Sequence, residues 1–235
     1  MGADGKQKRA SQRKKALPDV KSKAVARRRG FGGVSSPLLV TDPSAAPKPE
    51  IVILVGGNGS GKTTYYNTFL AGCGLPFINA DIIAKKQFGD QAEARSGDAA
   101  KMAEDTRNRL LDSRESFCFE TVFSHVSKVD FLVQAKAVGY TIKMVAIYTA
   151  SEDLNVARVA QRVGEGGHSV PEEKIRERIP RTYLHIGAAL EHCDEFVLLD
   201  NSSFETPYVV KLVKKGDDFV TLNGDLPDFA AGWGI

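Results

Sequence analysis

The stretch Val55-Gly56-Gly57-Asn58-Gly59-Ser60-Gly61-Lys62-Thr63-Thr64 follows the apolar run Ile51-Val52-Ile53-Leu54, and this juncture limits the possible folds more than any other part of the chain. Gly56-x-x-x-x-Gly61-Lys62-Thr63 meets the P-loop pattern at every fixed position, between an apolar strand and a helical segment, which is the context the motif requires. Glycines let successive backbone N–H groups turn inward around phosphate oxygens, and the helix that follows adds the positive end of its dipole. The predicted nucleotide-binding residues are therefore Gly57, Asn58, Gly59, Ser60, Gly61, Lys62, Thr63 and Thr64. Lys62 is expected to reach the β/γ-phosphates and the Thr63 hydroxyl to ligate Mg²⁺, so the ligand expected is ATP or GTP with Mg²⁺.

Beyond residue 50, short apolar segments alternate with longer helical ones, the pattern of a parallel sheet wrapped by helices. Strands are predicted near 51–55, 76–79, 117–120, 141–148 and 195–199, and helices near 62–72, 91–114, 126–138, 151–163 and 171–192. Residues 208–213 and 219–222, around Gly216-Asp217-Asp218, read as a C-terminal hairpin within about 206–224. The fold class expected is an α/β P-loop NTPase fold, a parallel five-stranded sheet flanked by helices, nucleotide-kinase-like with a helical lid. Ligands of such sheets sit outside the carboxyl ends of the strands, so polar residues there carry the chemistry.

The chain shows no base-reading NKxD segment of a GTPase switch. Phe196-Val197-Leu198-Leu199-Asp200 resembles the acidic strand of a motor ATPase, but its place near the end of the chain suits the last parallel strand of a small kinase.

Two other strand ends fit the acceptor side. In Phe77-Ile78-Asn79-Ala80-Asp81, Asn79 and Asp81 are expected to bind the acceptor, and the Asp81 carboxylate is placed to take the proton of its hydroxyl; Asp81 also reads as a helix N-cap before Ile82-Ile83-Ala84. In Phe117-Cys118-Phe119-Glu120-Thr121, Glu120 is expected beside Asp81 or near Mg²⁺ through water. Thr121, Ser124 and His125 follow as polar groups for an acceptor, although a lone histidine more often belongs to a core edge or a solvated surface.

A lid is expected over about 158–181. Arg158 and Arg162 share a helix face, Gly166-Gly167 breaks that helix, and Pro171 suits the opening of the next, which carries Arg176, Arg178 and Arg181. Guanidinium groups closing over a triphosphate would offset charge on the transferring phosphoryl group, and Arg162 and Arg178 are the leading candidates. The competing reading pairs these arginines with Glu152, Glu172, Glu173 and Glu177 on solvated faces.

Charge divides the chain. Residues 1–49 hold twelve Lys and Arg against three Asp, a net of +9, while the remainder carries twenty against twenty-six, a net of −6. Residues 1–49 therefore read as a basic, mostly disordered arm, with nucleic-acid contact through residues 1–30 as one use for it, and residues 50–235 as the P-loop domain. No apolar run of about 18 residues and no secretory pattern is present, so neither a membrane span nor export is expected. Lys6 stands where a myristoylation signal wants Ser or Thr. Three scattered cysteines point to a reducing, cytoplasmic setting.

Taken together, GGNGSGKTT, FINAD, FETVFS, RVGEGGHSVPEEKIRERIPRTYLHI and LLDNS resemble the zeta toxin family over roughly residues 50–205. The resemblance implies a nucleotide-kinase-like fold and an ATP- or GTP-dependent kinase acting on the 3′-hydroxyl of UDP-N-acetylglucosamine. It makes Lys62 and Thr63 the nucleotide loop, Asp81 the catalytic base, Glu120 and Thr121 the acceptor motif, and the Arg162 and Arg178 region the phosphate clamp. It also implies a small helical antitoxin as partner, and a related plant-pathogen effector of this fold phosphorylates NAD. The expected function is a small-molecule kinase for a nucleotide sugar. The alternatives are a kinase for NAD, a nucleoside or an antibiotic, or an NTP-dependent binding module that docks through its basic arm.

Overall fold

The computed structural model describes residues 48–235, and residues 1–47 of the predicted arm, with any nucleic-acid contact through residues 1–30, lie outside them. One seven-stranded sheet organises the described chain: β1 (Glu50–Val55), β2 (Phe77–Ile78), β3 (Phe117–Thr121), β4 (Thr141–Tyr148), β5 (Glu195–Asp200), β6 (Val209–Lys215) and β7 (Asp218–Thr221). They lie in the order β2-β3-β1-β4-β5-β6-β7, with β1 to β5 parallel and β6 and β7 antiparallel.

β1 sits at the centre of the five parallel strands because it is apolar on both faces; Ile51 to Val55 are all buried, as a doubly covered parallel strand requires. Alternation along the strands sorts the core into two layers. Ile51, Ile53, Phe117, Phe119, Ile142 and Phe196 face α3 (Ser96–Asp112), α4 (Ser127–Ala137) and α6 (Glu172–Ala189). Val52, Leu54, Cys118, Val145, Ile147 and Val197 face the segment after the P-loop. A small third cluster, Val159, Ile175 and Ile179, joins α5 (Glu152–Gly164) to α6.

Three expectations need correction. The C-terminal hairpin is not an appendage to a five-stranded sheet. It extends that sheet to seven strands, because β6 pairs with β5 along its whole length and leaves the exposed β7 as the edge. The segment predicted as one helix over 62–72 is α1 (Lys62–Tyr65), a widened π-helical turn (Tyr66–Leu70) and a 3-10 turn (Ala71–Cys73). That course sets Tyr65 and Phe69 against Tyr208, at ring separations of 5.2 and 5.8 Å, and stacks Tyr66 on Phe77 at 3.5 Å.

The third is α2 (Ala80–Phe88), for which the sequence predicts only a start before Ile82-Ile83-Ala84 and no extent. It is nine residues long and buries only Ala84, so it carries almost no apolar stripe to give it away. A 3-10 segment at Asp228–Trp233 was likewise not foreseen; it closes α6 by stacking Phe229 on Tyr183 at 3.7 Å. Among the described residues no helix is long and apolar enough to cross a membrane.

Candidate active site

The P-loop leaves the carboxyl end of β1 and is gripped by three side chains. From α5, the Asn155 amide donates to the Asn58 carbonyl at 2.6 Å. From beyond β5, Asn201 Nδ2 donates to the Ser60 carbonyl at 2.8 Å and the Tyr208 hydroxyl to the Gly61 carbonyl at 2.9 Å. The glycines are forced by this grip: Gly59 and Gly61 have φ of +78° and +99°, and a Cβ there would lie 2.5 Å from the Asn155 carbonyl oxygen and 2.3 Å from Asn201 Nδ2. The sequence reading passed over Asn155, Asn201 and Tyr208 as site residues. An asparagine inside a helix is one usable signal, since it competes with helical hydrogen bonding unless its amide has a partner.

Lys62, the first residue of α1, is buried, and its Nζ donates to the carbonyls of Gly56 and Gly57 at 2.9 Å each. Burial pulls its pKa below the ordinary lysine value. The nearby carboxylates of Glu120 and then Asp81 oppose that shift, and the Arg162 cation adds to it. Four of the predicted residues therefore share one electrostatic neighbourhood.

Glu120 is the junction of the site. Its Oε2 accepts from Thr63 Oγ1 at 2.8 Å and from Asn79 Nδ2 at 2.9 Å, and its Oε1 lies 3.9 Å from Lys62 Nζ. Asn79 is in turn the N-cap of α2, with its Oδ1 accepting from the backbone N–H of Asp81 at 2.8 Å and of Ile82 at 3.3 Å. The N-cap reading of Asp81 is thereby corrected: the residue two positions earlier caps the helix, and Asp81 stands exposed in its first turn.

Other strand-end residues divide by their contacts. Thr121 Oγ1 accepts from the Phe123 N–H at 3.2 Å, fixing the turn that carries the half-buried Ser124. His125 pairs with Ser127 at 2.9 Å at the start of α4, a local role in keeping with the bland reading of that residue. Asp200, the motor-like acid, accepts from Tyr148 at 3.1 Å and from Ser202, and β4 separates its strand from β1. Glu120, one strand from the P-loop and bonded to Thr63, is the acid that meets the phosphate site.

The arginines predicted for a lid separate as well. Arg176 pairs with Glu152, Asp153 and Glu172, and Arg181 with Glu177, all on the surface, so for these two the solvated-face reading holds. Arg158 donates to the Asn201 carbonyl at 2.8 Å and lies over the Phe204 ring at 4.8 Å. Arg162 donates through Nη2 to the His168 carbonyl at 2.9 Å, while its Nε is buried without a partner. Arg178 is half-buried and makes no ion pair among the described residues.

The residues present fit a nucleotide. Ser60 Oγ is also buried without a partner, so Ser60 and Arg162 each offer an unused donor beside Lys62, the complement of an anion. Thr63 and Glu120 supply a hydroxyl and a carboxylate oxygen 2.8 Å apart, a donor set suited to Mg²⁺, which takes few protein ligands and completes its shell with phosphate and water.

A family model described as an AAA domain matches residues 51–182, more than half of the chain. Among solved structures, the chain is similar to one from the AvrRxo1-ORF1:-ORF2 complex with ATP, at 16% identity and a TM-score of 0.61, over 74% of this chain and 60% of that one. The native form of the same complex matches at 15% identity and a TM-score of 0.61, over 74% and 61%. A structure of the PezAT chromosomal toxin-antitoxin system of Streptococcus pneumoniae matches at 18% identity and a TM-score of 0.46, over 68% and 72%. At these identities the likeness is one of fold, and the chain spans about three fifths of the length of the AvrRxo1 chains. No curated protein matches the chain.

Proposed function

The chain belongs to the AAA-domain family through residues 51–182, and from that premise we propose that it is an ATP- or GTP-dependent kinase transferring the γ-phosphate to a hydroxyl of a small molecule, a nucleotide sugar of the UDP-N-acetylglucosamine type. One observation carries this reading. Thr63, Glu120 and Asn79 form an unbroken hydrogen-bonded line from the phosphate loop to the helix that bears Asp81, so a nucleotide site and a carboxylate share one framework.

In the proposed reaction the acceptor oxygen attacks the γ-phosphorus as the bond to the bridging oxygen breaks, and the hydroxyl proton passes to Asp81. The P-loop N–H groups and Lys62 hold the phosphates; Arg162 and Arg178 balance negative charge on the transferred group. Mg²⁺, when bound, neutralises phosphate charge, and Thr63 and Glu120 are the residues that would hold it, Glu120 directly or through water. Thr121 and Ser124 face the acceptor as hydrogen-bonding groups. We place the reaction in a reducing, cytoplasmic setting, a reading supported by three free cysteines. An antitoxin-type protein is the proposed partner, and the two-component make-up of the AvrRxo1-ORF1:-ORF2 complex supports it.

The test is direct. Purified full-length chain is incubated with γ-labelled ATP or GTP, Mg²⁺, and a panel holding UDP-N-acetylglucosamine, NAD, nucleosides and aminoglycosides, and the products are read by mass spectrometry. The expected result is one phosphorylated acceptor that disappears with Asp81→Asn. Nucleotide hydrolysis at the same rate whatever the acceptor, and no phosphorylated product, would replace the kinase reading with that of a binding module reset by hydrolysis.

A further inference from the structure

Phe123, two residues beyond the end of β3, has a φ of +65°. That left-handed region is uncommon for any residue but glycine, and a bulky side chain there is an outlier. Phe123 is also packed into the core, with 1% of its surface exposed. Backbone strain of this kind persists only where the surroundings over-determine it, and it gathers at functional sites.

The surroundings are supplied by α6. Thr182 Oγ1 donates to the Val122 carbonyl at 2.9 Å, and His185 Nδ1 lies 3.2 Å from the Phe123 carbonyl oxygen. A carbonyl only accepts, so His185 carries a hydrogen on Nδ1. Thr182 and His185 stand three apart and share a helix face with Arg178, four residues before Thr182, whose carbonyl also lies 2.9 Å from Thr182 Oγ1. The remaining tie is internal: Thr121 Oγ1 accepts from the Phe123 N–H, which leaves the Thr121 hydroxyl its own hydrogen to give. Two successive carbonyls of one turn are thus held by two side chains of one helix face.

The same helix reaches the phosphate loop. A Cβ built on Gly57 would lie 3.0 Å from Ile179 Cγ1, so Ile179 closes over that glycine. The turn itself starts beside the loop, since Thr121 pairs with Val55, the last residue of β1 before Gly56. α6 therefore touches both the phosphate loop and the turn after β3, and it sets the spacing between them.

We propose that Thr182 and His185 are positioning residues for the acceptor: by holding the Val122 and Phe123 carbonyls they impose the left-handed turn and with it the aim of Thr121 and Ser124 beside the phosphate loop. The proposal rests on the kinase reading for what the turn presents, while the pinned turn rests on the hydrogen bonds and on the φ of Phe123.

The test pairs variants that remove a donor with variants that restore it. Thr182→Val and His185→Ala are expected to raise KM at least tenfold for the acceptor that the wild-type chain phosphorylates, with UDP-N-acetylglucosamine as the first probe, while KM for ATP stays within twofold. Thr182→Ser and His185→Asn put a hydroxyl and an amide N–H back in the same places and should return that KM to within threefold of wild type. His185→Gln, whose amide falls nearer the other ring nitrogen, should not. Hydrogen exchange gives a measure independent of turnover: the Phe123 amide should exchange at least tenfold faster in Thr182→Val and His185→Ala. Where Thr182→Val does not fold, the His185 series decides alone. Folded variants with unaltered exchange and unaltered acceptor KM would overturn the proposal. So would KM for ATP and for the acceptor rising together in step with a lowered melting temperature, the mark of a contact that serves the fold alone. Faster exchange in the variants with no phosphoryl transfer by the wild-type chain keeps the pinned turn and removes the kinase reading.

Discussion

Glu120 Oε2 accepts a hydrogen bond from Thr63 Oγ1 at 2.8 Å, joining the end of β3 to the first turn of α1 across fifty-seven residues of sequence. The same oxygen takes the Asn79 amide, so three elements meet on one carboxylate. Glu120→Gln keeps the shape and removes the charge. Its expected effect is a 10- to 100-fold loss of activity, recovered in part by raised Mg²⁺, as for residues that support a metal site. Activity measured against Mg²⁺ concentration checks this, and an unchanged Mg²⁺ dependence would take Glu120 out of the metal's surroundings.

Asp81 is exposed and caps nothing, so its replacement should leave the fold alone. Asp81→Asn is expected to lower kcat by about 10² to 10⁴, the range for loss of a general base, with melting temperature and nucleotide affinity preserved. A variant that binds nucleotide normally and transfers phosphate at near wild-type rate would disqualify Asp81 as the base.

Asn79 combines two roles that substitution separates. Asn79→Ala removes the cap of α2 and a donor to Glu120, at a cost of about 1 kcal/mol for the cap, or about 2–4 °C in Tm for a domain of this size. Asn79→Ser restores a cap but cannot reach Glu120. It should regain most of the Tm and little of the activity, a split that calorimetry and a transfer assay read together.

The lid arginines give a paired comparison. Arg176→Ala dismantles an exposed network and is expected to change stability by about 0–1 kcal/mol and activity by less than twofold. Arg162→Ala should cut kcat by about 10³ or more if its guanidinium meets the transferred phosphoryl group, and Arg162→Lys should not restore it. Equal effects from the two alanine variants would mean that the lid acts only through its fold.

Thiol chemistry tests the core. Burial pushes the Cys193 thiol up to about 12 and that of Cys118 higher still, so neither forms appreciable thiolate near pH 8. Alkylation of the folded chain at pH 8 should therefore mark Cys73, the half-buried member of the three, and mass spectrometry should find Cys118 and Cys193 unmodified until denaturant is added.

What the sequence by itself determined was the local grammar. The apolar run ending in GGNGSGKTT dictates strand, loop and helix, because glycine spacing and strand burial are properties of a short window. The parallel strands were legible for the same reason: Thr141–Tyr148 is apolar almost throughout, as a strand covered on both faces must be. The start of α2 was legible but its extent and its cap were not, since its stability comes from Asn79 and from packing on α3 rather than from its own apolar pattern.

Only the tertiary structure decided which polar groups act together. The sequence offered five arginines for a lid, with Arg162 and Arg178 foremost; the fold ties Arg176 and Arg181 to surface carboxylates and leaves Arg162 with a buried, unpaired nitrogen beside Lys62. It likewise brought Asn155, Asn201 and Tyr208 onto the phosphate loop from as far as 147 residues away. Hydrogen bonds and Coulomb interactions act over a few ångströms of space whatever the separation along the chain, so a linear pattern supplies the groups and the sheet order chooses their partners.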